Sequence, residues 1–198
     1  MSKLGSRGGR HDTFFKKARA AGFAARSVYK LEEIDRRLRL LRAGDRVLDL
    51  GCRPGSWLQY ARSVVGPHGA VVGIDRDALP HPIAGARVLQ GDIFATPDGE
   101  LLGTLAAFDV VLSDMAPNTT GTRTTDQARS AGLFGEALAR AERLLAPGGA
   151  FVGKIFQGPD VDGLRKRMAE RFSEVRTLKP EGSRAASIEI YLAGKGFA

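Results

Sequence analysis

The sequence has few of the residues that staple or metallate small proteins. One cysteine, Cys52, occurs in 198 residues, so no internal disulfide can form, and His11, His68 and His81 are too scattered for zinc-ligand spacing. The expectation is therefore no metal and no thiol chemistry. No apolar run approaches the roughly 18 residues of a membrane span, and the opening MSKLGSRGGRH lacks the apolar segment of a signal peptide, which predicts a cytoplasmic protein. The dinucleotide fingerprint GxGxxG and the serine-hydrolase elbow GxSxG are both missing, as are internal repeats and low-complexity linkers.

The composition that remains is that of an ordinary globular domain, 43% hydrophobic and 26% charged, and the length suits one domain spanning 1–198. Charge is informative by position. Residues 1–42 hold 12 Lys and Arg against 4 Asp and Glu, and the remainder holds 18 against 18, so the whole +8 excess lies at the N-terminal side. Such a block beside a neutral body reads as a footprint for a polyanion, RNA or DNA, with a solubilising terminus as the alternative. Phe14, Ala18 and Ala21, then Val28, Leu31, Ile34 and Leu38, recur at helical spacing on either side of Gly22. This predicts two amphipathic helices in a basic extension, 1–42, packed on a 43–198 core, with Arg19, Arg26, Lys30, Arg36 and Arg37 forming a basic face.

After Gly44 strands and helices alternate. The strands are expected at RVLDL (46–50), AVVGID (70–75), RVLQ (87–90), FDVVLSD (108–114), AFVGKIF (150–156), EVRTL (174–178) and SIEIYLA (187–193). Helices are expected from Ser56, from Thr125 to Leu145 and from Val161. This is an α/β pattern, a Rossmann-like, doubly wound, mostly parallel sheet, in which ligands sit beyond the carboxyl ends of the strands. Asp49, Asp75, Asp114 and Lys154 all fall at strand ends.

RVLDLGCRPGSW reads as strand, tight turn and helix, and Gly51 and Gly55 let the backbone approach a ligand. Without the glycines that seat a pyrophosphate, a phosphate-free ligand fits better. Asp75 can accept from a ribose diol and Asp92, in LQGDIF, from an adenine amino group; capping of the following helix is the alternative for each. Gly148, Gly153 and Lys154 match the GxxxxGK spacing of a P-loop, but Ile155 stands where Ser or Thr would hold magnesium, and Ala150 to Val152 read as strand. Lys154 then needs another explanation, because an ammonium inside an apolar strand either finds an anion or gives up its proton.

The motifs SVYKLEEI, VLDLGCRPGSWLQY, LQGD, SDMAPNTTGT, LAPGGAFVGKIFQG and SRAASIEIYLAG, in this order and spacing, resemble the FtsJ/RrmJ family of S-adenosylmethionine-dependent ribose 2′-O-methyltransferases. The resemblance implies a Lys-Asp-Lys-Glu tetrad at Lys30, Asp114, Lys154 and Glu189, and S-adenosylmethionine contacts at Gly55, Trp57, Asp75, Asp92 and Asp114. For Trp57, core packing is the other reading. The sequence departs from the family at Cys52-Arg53, where relatives carry two small residues; Arg53 must point away from the cofactor or touch the substrate. The implied reaction is methylation of a uridine ribose in large-subunit ribosomal RNA, by a monomer without an obligate protein partner. Transfer RNA, a non-catalytic role in ribosome assembly and a small-molecule substrate are the alternatives. In this chemistry a lysine with a lowered pKa takes the ribose proton, and Lys154 is the expected base.

Overall fold

Runs of valine, leucine and isoleucine become strands covered on both faces, and the amphipathic runs between them become the helices that do the covering. The computed structural model describes residues 9–181 and 187–198. Lys3 and Arg7 of the basic segment, and Ser183 to Ala186 of SRAASIEIYLAG, lie outside the described residues. In chain order the elements are α1 (Gly9–Ala20), α2 (Val28–Leu38), β1 (Arg46–Leu50), α3 (Ser56–Val65), β2 (Ala70–Asp75), β3 (Ala86–Gln90) and α4 (Asp98–Leu102). They continue with β4 (Phe108–Ser113), α5 (Arg123–Leu144), β5 (Leu145–Phe156), α6 (Val161–Arg171), β6 (Phe172–Leu178) and β7 (Glu189–Phe197).

The seven strands form one sheet in the order β3-β2-β1-β4-β5-β7-β6. All pairs are parallel except β5 with β7 and β6 with β7. One face packs Leu48, Phe108, Phe134 and Phe151 under α5 and α6, and the other packs Leu31, Ile34, Trp57, Val152 and Tyr191 under α2 and α3. The strand order reverses between β1 and β4, so the loops after these strands diverge and leave a crevice.

Gly22 ends α1 as its position predicts. Its φ is 76°, its N–H donates to Arg19 O at 3.1 Å, and the N–H of Phe23 reaches Ala18 O at 2.9 Å, the paired bonds of a left-handed helix cap. At the other end of α2, Asp35 accepts from the N–H groups of Leu40 and Leu41 and from the Tyr60 hydroxyl, and Lys195 donates to Leu38 O at 2.6 Å. These bonds fix α2 to both α3 and β7, and with it the position of Lys30.

Three expectations shift. β5 starts at Leu145 and not at residue 150, with an irregular register between Phe108 and Val110. β7 starts at Glu189 and runs on to Phe197. The five-residue α4 appears where no helix is expected, being too short for a periodic pattern to register.

Candidate active site

The antiparallel register of β5 and β7 sets Lys154 opposite Tyr191 and Phe156 opposite Glu189. Directly opposed residues share a face, and so do residues two apart on one strand, so Lys154, Tyr191 and Glu189 all point to the α2 side of the sheet. There they meet Lys30 from α2 and Asp114 from the end of β4. Lys30 Nζ lies 2.5 Å from Glu189 Oε1, and Lys154 Nζ lies 3.0 Å from Asp114 Oδ1 while donating to the Asp114 carbonyl at 2.6 Å. The four residues named from the sequence are thus gathered as two ion pairs.

Tyr191 joins them. Its hydroxyl donates to Asp114 Oδ1 at 2.6 Å and lies 3.3 Å from Glu189 Oε1, giving a continuous polar line Lys30, Glu189, Tyr191, Asp114, Lys154. Burial, then the charges of Asp114 and Glu189, push its phenol well up, so it stays a donor. Sequence reasoning overlooked Tyr191, although its two-residue spacing from Glu189 puts both on one face. Lys154 is only 8% exposed and Lys30 and Glu189 13% and 14%. Ion pairs this enclosed rarely stabilise a fold better than apolar packing, so their presence points to chemistry.

A cleft of about 700 Å³ opens over the carboxyl ends of β1, β2 and β4, lined by Gly51, Asp75, Ile93, Phe94, Asp114 and Met115 among others. Gly51 has φ 76°, and a Cβ there would run into the Met115 side chain, so only glycine leaves this wall open. Asp75 accepts from Arg53 N at 2.9 Å and Asp77 N at 3.0 Å; Asp92 accepts from Phe94 N at 2.9 Å and from Arg76 at 2.8 Å. The Phe94 N–H, burial in the opposite direction and the Arg76 guanidinium leave the Asp92 carboxyl below its ordinary range. Arg140, buried on α5, holds this wall by donating to Ile93 O, Thr96 O and Asp98. Gly55, Trp57 and Asp92 are not among the residues lining the cleft, although Asp92 is paired with Arg76, which is. Gly55 precedes α3 against Ile83, and Trp57 is 3% exposed, donating to Ser27 O at 2.9 Å with its ring centroid 6.0 Å from that of Tyr191.

The Cys52-Arg53 departure resolves into one residue inward and one outward. Cys52 is buried, and burial followed by Asp49 and Asp75 pushes its thiol far up, leaving it inert. Arg53 turns to the cleft mouth, 3.1 Å from Asp77. Behind the loop stands Asp49, 1% exposed, whose two carboxyl oxygens have no hydrogen-bond partner among the described residues. Burial first, then Asp114 and Asp75, push it well above the usual carboxylate range. Three acids therefore converge beneath a cleft with an apolar wall and no phosphate-binding glycine loop. The acceptor set fits a nucleoside carrying positive charge.

The sheet order, its antiparallel seventh strand and an acid-floored crevice at the strand reversal define a class, the Rossmann-like methyltransferases. The model of the FtsJ-like methyltransferases matches residues 23–197, and the chain belongs to that family. It is 52% identical over 186 residues to Ribosomal RNA large subunit methyltransferase E of Sorangium cellulosum, covering 93% of this chain and 87% of that one. The like-named protein of Syntrophobacter fumaroxidans is 49% identical over 188 residues, covering 92% and 94%. Among solved structures, a Plasmodium falciparum protein described as a ribosomal RNA methyltransferase superposes with a TM-score of 0.77 at 28% identity, covering 88% of this chain and 98% of that one. Among the described residues no helix is long and apolar enough to cross a membrane, and no His, Cys, Asp and Glu cluster could hold a metal.

Proposed function

We propose that the protein transfers a methyl group from S-adenosylmethionine to the 2′-hydroxyl of a uridine ribose in large-subunit ribosomal RNA. The observation that carries the reading is the enclosed Lys30, Glu189, Tyr191, Asp114, Lys154 line beside the acid-floored cleft. The RNA class comes from the relatives' names, and the surplus of Lys and Arg in residues 1–42 agrees with it. Bound S-adenosylmethionine supplies an activated methyl on a positive sulfur that departs as a neutral thioether. Asp75 would accept from its ribose, Asp92 from its adenine amino group, and Asp49 and Asp114 would offset its positive charge. Gly55 and Trp57 stand at the start of α3, where the first-turn N–H groups lack partners within the helix and would suit a carboxylate.

For the hydroxyl, alignment and proton removal are what the chain must provide. Lys154 Nζ would accept the proton of the 2′-hydroxyl. Asp114 fixes that Nζ, and Lys30, held by Glu189, orients the ribose oxygen. Tyr191 sets the distance between the two pairs. Phenylalanine at 191 keeps the ring and deletes the bridge, so Tyr191→Phe should lower single-turnover methyl transfer about tenfold, the worth of one positioning hydrogen bond. An unaltered rate would leave the phenol a packing group only.

The direct test is methyl transfer from labelled S-adenosylmethionine to undermodified large ribosomal subunits and, in parallel, to unmodified transfer RNA. Label on a uridine ribose of the large subunit is expected. Label on transfer RNA alone would overturn the substrate, and cofactor binding without label on either would overturn the activity.

A further inference from the structure

A second cleft, of about 480 Å³, lies between the α1–α2 turn and the segment after β2. It shares the 51–55 loop with the cofactor cleft: Gly51 and Arg53 line the one, Pro54 the other. None of its lining residues is acidic, and its rim carries Arg19, Arg26 and His81. Its apolar surface comes from Phe15, Phe23 and Pro82. Phe15 is 55% exposed, the largest exposure of any large apolar side chain among the described residues, and nothing in the fold requires it there. The wall is built firmly: Gln59 of α3 accepts from Ala24 N at 2.8 Å and donates to Gly22 O at 3.1 Å, pinning the turn that carries Phe23.

Aromatic faces without acids, ringed by arginine, form a platform for bases of single-stranded RNA, where ring stacking is combined with phosphate attraction. The volume suits one base with its sugar. Position agrees as well. Arg26 leads directly into α2, with Tyr29 N bonded to Arg26 O at 3.2 Å, and Lys30 follows four residues on. One helical turn, ~6 Å, thus separates the rim from Lys30, a span an unstacked strand crosses in roughly one or two nucleotides.

We propose that this cleft seats a nucleobase flanking the target nucleotide, stacked on Phe15 and Phe23, with its phosphate held by Arg19 and Arg26. The proposal rests on the RNA methyltransferase reading above and adds a subsite to it.

Binding of a short single-stranded RNA carrying 2-aminopurine tests it, because stacking quenches that base. Phe15→Ala should weaken binding about tenfold and remove most of the quenching, with the dependence on salt unchanged because no charge is lost. Phe15→Trp should restore both, Arg19→Gln should flatten the salt dependence, and cofactor affinity should be equal in all three. Unaltered affinity and quenching in Phe15→Ala would overturn the subsite, as would an RNA KM unchanged in that variant while methyl transfer proceeds; either leaves the proposed reaction standing. Phe15-dependent RNA binding with no transfer to any RNA would retain the subsite and discard the reaction.

Discussion

Lys154→Ala should abolish methyl transfer, by 10² to 10⁴-fold for loss of a general base, roughly, while the protein still binds S-adenosylmethionine. The separation is expected because Lys154 faces the tetrad and is not among the residues lining the cofactor cleft. Alanine alone leaves Asp114 without its cation, so Lys154→Arg is the sharper variant. A guanidinium keeps the positive charge beside Asp114 but does not deprotonate in proteins, and so cannot accept the ribose proton. Both variants should be inactive in single-turnover transfer with cofactor affinity retained by calorimetry. An active Lys154→Arg would reassign the residue from proton acceptor to charge stabiliser, and parallel loss of cofactor binding would reassign it to the cofactor.

The second large effect is expected on stability. Asp49→Asn should raise the melting temperature at neutral pH and weaken S-adenosylmethionine binding. In the folded protein Asp49 titrates well above the ordinary carboxylate range, through burial and then Asp114 and Asp75. Between that range and the raised folded pKa, the native state holds more protons than the unfolded chain. Asp49 therefore contributes stability below about pH 4 that is lost as pH rises through the folded pKa. Asparagine cannot ionise and removes this slope. The melting temperature at pH 7 should rise measurably, and cofactor affinity should fall about tenfold if the carboxylate offsets the ligand's charge. Melting curves from pH 5 to 8, with and without cofactor, check both halves. A slope that survives in Asp49→Asn would assign it to another group.

Much of this architecture was legible because each buried strand has an apolar run of its own: VLDL, AVVGI, VVLS and AFVG each fill one strand. The doubly wound class followed from alternation alone. Direction of pairing did not, since nothing local in EIYLAGKGF distinguishes a parallel strand from the antiparallel β7. Within the site, Lys154 and Glu189 betrayed themselves as charges inside apolar patterns. Tyr191 did not, because tyrosine is at home in any strand and its hydroxyl acquires meaning only from Asp114, 77 residues away. Arg140 escaped for a similar reason: on α5 it looks like one of many surface arginines, and only the fold brings it to the carbonyls of the 93–96 loop. Asp49 was visible as a strand-end acid, but its lack of partners required three dimensions.

The position of β7 has a consequence for biosynthesis. This strand follows β6 in the chain but is inserted between β5 and β6, bringing Glu189 and Tyr191 with it. While the chain is still emerging, β1 to β5 can assemble with Asp49, Asp75, Asp92, Asp114 and Lys154 in place, but β6 has no neighbour to pair with and Lys30 has no counter-ion. A nascent or prematurely terminated chain would therefore have the cofactor crevice without the means to use it. On the proposed reading, Lys30 and Lys154 gain Glu189 and Tyr191 only when β7 pairs with β5.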